Sequence, residues 1–411
     1  MGVMHEAETV KKTMIRVREF DVERDLRAVE ELERLCQVGL SSDQGSDPVA
    51  DHDGGAEKTA RSSKKKKKKK KGMSLYVEQI GDPFARVRHA PDNVMLVAEY
   101  GQEDEVVGVI KVCTRMVSRG KKKQSLSSSS KQFVKVACLL GLRVSPSHRR
   151  HGIATELVRR AESWCAARGA AYATMATTES NAASLALFTG RFAYAPFKRP
   201  VFLGHPVHRH RVRIPRAHRV LRLPPPLAAA AYAALLPPSA AEFLPADLPA
   251  LLNHKLTLGT YLAIQRGGGP DENPARTPSF ALLSVWDATR SLRLRVGGAP
   301  TLLRASLAAA RALDRHAPWL QVPSVPDIFR PFGTYLMYGL RMSGPEGPAL
   351  LRSLCRHAHN VARKNPACAV LAADLGPDDP AKAVVPHWPN DDDDWTTSPP
   401  PSVLFVDPRE F

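Results

Sequence analysis

The run Gly141-Leu142-Arg143-Val144-Ser145-Pro146-Ser147-His148-Arg149-Arg150-His151-Gly152-Ile153-Ala154 constrains this chain most, because a buried strand, a turn and a helix start meet within it. Residues 136–144 are almost wholly apolar, as a strand covered on both faces should be. Pro146 halts it. Ile153, Leu157, Val158, Ala161, Trp164 and Cys165 then recur at helical spacing, with Glu156, Arg159, Arg160 and Glu162 opposite them, and Gly169 suits the C-terminal cap. The spacing predicts a helix that begins near Gly152, so the amides of Arg150, His151, Gly152, Ile153 and Ala154 are its unpaired first-turn donors. Donors gathered at the positive end of a helix dipole make an anion site. Gly152 has no side chain to block a phosphate, and Arg149 and Arg150 add positive charge. An ordinary strand-to-helix turn with surface arginines would carry the same letters.

Arg149-Arg150-His151-Gly152-Ile153-Ala154 fits the pattern Arg/Gln-x-x-Gly-x-Gly/Ala and resembles the GNAT superfamily of N-acetyltransferases. The resemblance implies acetyl-CoA as cosubstrate, with its pyrophosphate on the loop amides and its pantetheine arm against the backbone of Leu142, Arg143 and Val144. The following segment agrees. Residues 170–177 read as a strand of small residues and 181–190 as a helix, similar to the family pattern Asn-x-x-Ala-x-x-Leu-Tyr-x-x-x-Gly-Phe. Asn181 and Leu187 match, Ser184 replaces the alanine and Phe188 the tyrosine. The closing Gly-Phe falls on Ala193-Tyr194 if one extra residue is allowed. The resemblance assigns Asn181 and Phe188 to the cofactor side of the site. In many relatives the tyrosine protonates the departing thiolate, and phenylalanine has no proton to give.

The rest of the chain fits around this centre. Its 411 residues are enough for two domains. Residues 14–20 read as a first strand and 21–36 as a helix with the stripe Leu26, Val29, Leu32 and Leu35. Residues 41–72 are rich in Ser, Asp, Gly and Lys and predict a disordered insertion. Short strands are expected at 84–87, 94–99 and 106–113, a second polar insertion at 118–131, and a closing strand at 197–203. The expected fold is α/β (α+β): a mixed central sheet flanked by helices, forming one GNAT domain over residues 14–203.

Of the formal charge of +18, the lysines at 64–71 supply eight and those at 121–123 three, so the basicity belongs largely to the insertions. The lysine run suits nuclear import or a weak electrostatic contact with nucleic acid, and equally a solvated tract with no partner. Base readout is unsupported, since no aromatics interleave it. The six cysteines show no CxxC spacing and read as buried thiols. No apolar run is long enough to span a bilayer and no secretory segment is present, so a soluble chain of the nucleus, or also the cytoplasm, is expected.

Residues 204–223 read as a basic His/Arg-rich linker; its histidines lack neighbouring carboxylates or cysteines, so no metal site is expected. Residues 224–411 carry helices at 227–236, 302–316 and 349–362 and strands at 257–265, 280–287, 333–340 and 368–373. The order strand, glycine loop, helix, strand repeats that of 136–177 and predicts a second, degenerate GNAT-like domain. Its loop has Pro348, without an amide proton, and Glu346 where a pyrophosphate would sit, so a structural or partner-binding half is favoured over a second CoA site.

His254-Lys255-Leu256-Thr257, Ser284-Val285-Trp286, Cys355-Arg356-His357-Ala358-His359-Asn360 and the phrase Phe405-Val406-Asp407-Pro408-Arg409-Glu410-Phe411 resemble the plant hookless-type probable N-acetyltransferases. That resemblance implies a regulator of growth or hormone response, with protein lysine, histones among them, as the acceptor class. Attack by an amine requires a base. The central strand holds no carboxylate, and Glu179, just past the neighbouring strand, is the candidate, with Glu99 second. The rival class is a pseudo-acetyltransferase that keeps the fold as a protein- or chromatin-binding module, favoured by Phe188 and by the missing strand carboxylate.

Overall fold

A computed structural model of the chain describes residues 15–36, 38–39, 74–78, 84–101, 104–120, 132–178, 181–197, 199–266, 278–291, 293–320, 324–387 and 403–410. The expected insertions at 41–72 and, apart from their first residues, 118–131 lie outside these, as does the lysine run.

Strand β1 (Ile15–Glu19) leads into helix α1 (Val22–Leu35), capped by the Asp21 carboxylate, which accepts from the amides of Glu23 and Arg24. Strands β2 (Val38–Gly39) and β3 (Ser74–Glu78) follow, then β4 (Asp92–Tyr100), β5 (Glu105–Arg119) and β6 (Phe133–Val144). Helix α2 (Ile153–Ala167) crosses to β7 (Tyr172–Met175), and α3 (Ala182–Leu185) continues as a wider π turn over Ala186–Arg191. Next come β8 (Val201–Pro206), β9 (His218–Leu223), α4 (Pro225–Leu235), β10 (Ala241–Pro245), α5 (Leu248–Leu252), β11 (Thr257–Gln265), β12 (Phe280–Asp287) and β13 (Arg293–Gly297). The chain continues through α6 (Thr301–His316), β14 (Phe332–Ser343), α7 (Gly347–Ala362), β15 (Cys368–Leu375) and β16 (Val403–Leu404).

Two mixed sheets result, as the α+β reading expects. In the first, β1, β4, β5 and β6 pair antiparallel in that order and β7 joins β6 in parallel. Helix α2 covers one face, where Ile153, Leu157, Val158 and Ala161 meet Leu96, Ile110, Ala137 and Leu139. Burying each such side chain contributes about 1.5–3 kcal/mol. The approach depends on Gly108, since a Cβ there would stand 2.9 Å from both Ile153 and Leu157; Gly108→Ala would push the helix off the sheet.

In the second sheet β9, β11, β12, β14 and β15 follow one another, with β14 and β15 parallel and α7 between them in sequence. Gly141 in β6 and Gly339 in β14 sit at equivalent bulges with φ of 60° and 62°. The repeat seen in the sequence is therefore a repeat of backbone geometry, down to the glycine each bulge requires.

Four expectations need correction. Residues 84–87 are not a strand: the amides of Val87 and Arg88 both donate to the Phe84 carbonyl in consecutive turns. Their apolar character serves packing, since Phe84, Val87 and Ala90 cover Cys113, Cys138 and Leu140 on the face of the first sheet opposite α2. The second insertion starts later than 118, because β5 runs to Arg119 and Ser118 is buried, its hydroxyl donating to the Ala241 carbonyl. The closing strand of the first half, β8, pairs antiparallel with β15 of the second sheet and covers its edge.

The division at 203 and 224 does not separate the sheets either. Strands β2, β3 and β8 join the second sheet, while β10 and β16 extend the first beside the end of β5. The stretch read as a linker holds β8 and β9 at its ends.

Candidate functional site

Strands β6 and β7 pair only from Val136↔Tyr172 to Leu139↔Met175. Beyond that rung β7 ends and β6 runs on to Val144, so the β7-side edge of residues 140–144 has no strand partner among the described residues. Leu142, Arg143 and Val144 are half-buried at this fork, and their unpaired edge is placed to meet an extended ligand. The Arg143 guanidinium folds back to donate to the Leu142 carbonyl at 3.2 Å. Cys36 donates its thiol to the Val144 carbonyl at 3.3 Å.

At the open end of the fork the chain turns through residues 145–152. Arg150 and Gly152 both have positive φ, 67° and 87°, and Gly152 is the N-cap of α2. The two left-handed residues turn the chain into the start of α2, where the unpaired first-turn amides and the helix dipole make a nest for an anion. The space in front of Gly152 is open, since a Cβ there would meet only Ile15, at 3.9 Å. Arg149, Arg150 and His151 are exposed around the nest, while Ile153 is buried and Ala154 half-buried, anchoring its floor. The His151 ring lies 5.4 Å from Tyr100. The six motif residues thus follow directly on the open end of the strand at 142–144, at the start of α2.

Asn181 caps α3, its side-chain oxygen accepting from the Ser184 amide at 3.1 Å. Phe188, expected on the cofactor side, is only 3 % exposed and packs in the core with α2, 5.1 Å from the Tyr194 ring. The one extra residue in this segment is absorbed by the π turn, in which the Phe192 amide donates to the Leu187 carbonyl. Tyr194 cannot stand in for the missing tyrosine, because its hydroxyl donates to Glu162 at 3.0 Å on the α2 side.

Glu179 lies outside the described residues. Glu99 is ruled out as a base by its surroundings: its carboxylate, 1 % exposed, is held by Arg16, Arg18 and Arg24 at 2.6, 2.6 and 2.9 Å. Burial opposes its ionisation, but the arginine hydrogen bonds outweigh burial and keep its pKa below the usual carboxylate value.

Sequence reasoning missed the part played by residues 403–410. This segment leaves β16 and lays Asp407, Arg409 and Glu410 on the face of the first sheet opposite α2. Asp407 pairs with Arg115 at 2.7 Å and Glu410 accepts from the Cys138 thiol at 3.5 Å. The phrase 405–411 stood out in the sequence only as a mark of resemblance, and no local pattern connects it with β6, 272 positions away.

Among the described residues no group of three metal-ligating side chains is close enough to hold an ion. The His208 and His359 rings meet tilted, 4.2 Å apart, and His210 pairs with Asp314, so these histidines pack against α6 and α7. All six cysteines are buried and unpaired.

A model of the acetyltransferase (GNAT) family matches residues 65–194. Acetyl transferase GW6a of Oryza sativa subsp. japonica is 66% identical over 99% of this chain and 100% of its own length. Probable N-acetyltransferase HLS1 of Arabidopsis thaliana is 38% identical over 96% of this chain and 99% of its own. Among solved structures, a GCN5-related glucosamine N-acetyltransferase region of a fungal multi-domain enzyme covers 91% of this chain and 37% of that chain. Its TM-score is 0.50 at 13% identity, a likeness of fold alone.

Proposed function

This chain belongs to the GNAT family of acetyltransferases, and from that membership we propose that it takes acetyl from acetyl-CoA and passes it to an amine. The single observation that carries the cofactor is the nest at Arg150 and Gly152 opening onto a fork with a free strand edge. A pyrophosphate matches the nest in charge and size, and the pantetheine arm matches the edge. Acetyl-CoA supplies the activated carbonyl. The chain's own residues hold the anionic end, align the arm along 142–144 and exclude water with the Phe84, Val87 and Leu140 surface.

The acceptor we favour is a lysine of a protein, histones included, and the compartment the nucleus; both rest on the resemblance to the hookless-type proteins. One observation favours a reading without turnover: Phe188 offers no proton where many relatives have a hydroxyl.

Calorimetric titration with acetyl-CoA tests the site. The parent chain should bind with a Kd on the order of micromolar. Gly152→Asp, which places an anion in the nest at a left-handed position, should weaken binding at least about 100-fold. Equal affinity in the variant sinks the loop assignment, and binding without transfer to any amine favours the binding module.

A further inference from the structure

The face of the first sheet opposite α2 carries a carboxylate that reaches the centre of β6 from elsewhere in the chain. Cys138 is one rung short of the last β6–β7 pair, so it stands at the apex of the fork. The nest lies at the open end, and from Leu142 back to Cys138 the strand spans about 13 Å. An arm held by its pyrophosphate at the nest therefore points its thioester at the apex. There the Cys138 thiol touches the Glu410 carboxylate at 3.5 Å. Position is fixed from behind: Arg86 donates to the Glu410 carbonyl at 2.7 Å, and Arg409 ties the same segment to Asp247.

We infer that the Glu410 carboxylate is the general base that deprotonates the acceptor amine. The inference rests on the acetyltransferase reading above. Two nearby acids are less suited. Glu33 is held by the Lys111 ammonium at 2.5 Å, and Asp407 by Arg115 and Arg409, both at 2.7 Å, whereas Arg115 stands 3.8 Å from Glu410. The groups that face Glu410 are Arg115 and Cys113 on β5, Cys138 on β6, Arg86 in the turn 84–90, Asp407 in its own segment and Asp374 on β15. Burial raises the pKa of Glu410, Asp407 adds to it, and Arg115 and Arg86 oppose it. A carboxylate whose pKa is raised is a stronger proton acceptor than an ordinary one.

The step balances without a further reagent. Glu410 takes one proton from the acceptor ammonium, and the freed nitrogen lone pair attacks the thioester carbonyl. The carbon–nitrogen bond forms and the carbon–sulfur bond breaks, its electron pair leaving on sulfur. A second nitrogen proton passes to the thiolate, giving the amide and free CoA, and Glu410 releases its proton to solvent.

The test compares core histones with hydroxylamine as acceptors. Hydroxylamine is largely unprotonated at neutral pH and needs no base. For histones, Glu410→Gln should lower kcat at least about 100-fold and abolish the acid limb of the kcat/KM profile, with acetyl-CoA affinity unchanged. For hydroxylamine, the rate should hold within about threefold. Histone turnover with an intact acid limb in Glu410→Gln overturns the base while leaving the acetyltransferase reading in place. A parent chain that acetylates neither acceptor overturns that reading and the base with it. One that acetylates hydroxylamine alone overturns the base, since no ammonium is being deprotonated. Should Glu410→Gln melt early or lose acetyl-CoA, Glu410→Asp decides, because it keeps the charge beside Arg115 and withdraws the carboxylate by one methylene. A fall in kcat with an unaltered Kd supports the base, and parental kcat overturns it.

Discussion

Arg409 grips Asp247 with both terminal nitrogens, Nη1 at 2.6 Å from one carboxylate oxygen and Nη2 at 2.9 Å from the other, while its Nε bonds Asp407 at 3.0 Å. Asp407 in turn pairs with Arg115 on β5. One chain of charges thus fastens α5, the segment 403–410 and the first sheet together. Removing the central guanidinium leaves buried Asp407 short of a partner. Arg409→Met should cost roughly 3–5 kcal/mol and lower the apparent melting temperature by about 5–10 °C.

The pH dependence of that loss follows from Asp407. Burial opposes its ionisation, but Arg115 and Arg409 outweigh burial and hold its carboxyl down at about 2. A depressed pKa gives stability that is present above the unfolded value, near 3.8, and is lost as pH falls toward 2. The gap between parent and Arg409→Met should be constant from pH 5 to 8 and shrink below pH 4. Thermal melts at pH 3 and 7 measure it, and an equal gap at both would contradict the assignment.

Glu99 makes a second, separable prediction. Glu99→Gln leaves Arg16, Arg18 and Arg24 crowded around a neutral amide, so stability should fall by a few kcal/mol. Because the carboxylate is locked away from the fork, the acid limb of the rate profile should be unchanged. A variant that folds but loses that limb would return Glu99 to the list of bases.

Ala193 sits at φ 54°, in the left-handed region, where the family pattern has glycine. A side chain there costs about 1–2 kcal/mol, and the greater freedom of glycine in the unfolded chain takes back part of the gain. Ala193→Gly should therefore stabilise the protein by up to about 1 kcal/mol, read as a rise in apparent melting temperature. A fall would mean that the strain at this turn is smaller than the backbone angle implies.

How much of this could be read in advance depended on how local the cause was. Strands β11 and β12 fall on the expected residues because each is a short, largely apolar run covered on both faces. The nest was legible because Arg149 to Ala154 carry both the turn and the helix start. Glu410 was not, because strand exchange brings it to Cys138 and no periodicity records which sheet a distant segment will join. Residues 84–87 misled for a related reason: Phe84 and Val87 are apolar to cover Cys138 and Leu140, which a turn achieves as well as a strand.

The second half has the same fork, and its contents decide how many cofactors one chain can hold. Strands β14 and β15 pair up to Met337↔Ala373, and β14 then runs on to Ser343, as β6 runs on past β7. Here the opening is filled. Residues 404–406 enter it, Leu404 lying 3.1 Å from where a Cβ on Gly376 would be, and Arg341 reaches Asp379 at 3.4 Å across it. The space left is about 10 Å³, room for a single water. At the helix start, Glu346 is the N-cap of α7 and Pro348 withholds an amide. An anionic ligand would meet a carboxylate at the nest position and a plug in the groove. Titration with acetyl-CoA should therefore give one site per chain, and Gly152→Asp should remove it entirely. A stoichiometry of two, or a residual site in that variant, would show that residues 404–406 yield to the ligand and that the second half binds CoA in its own right.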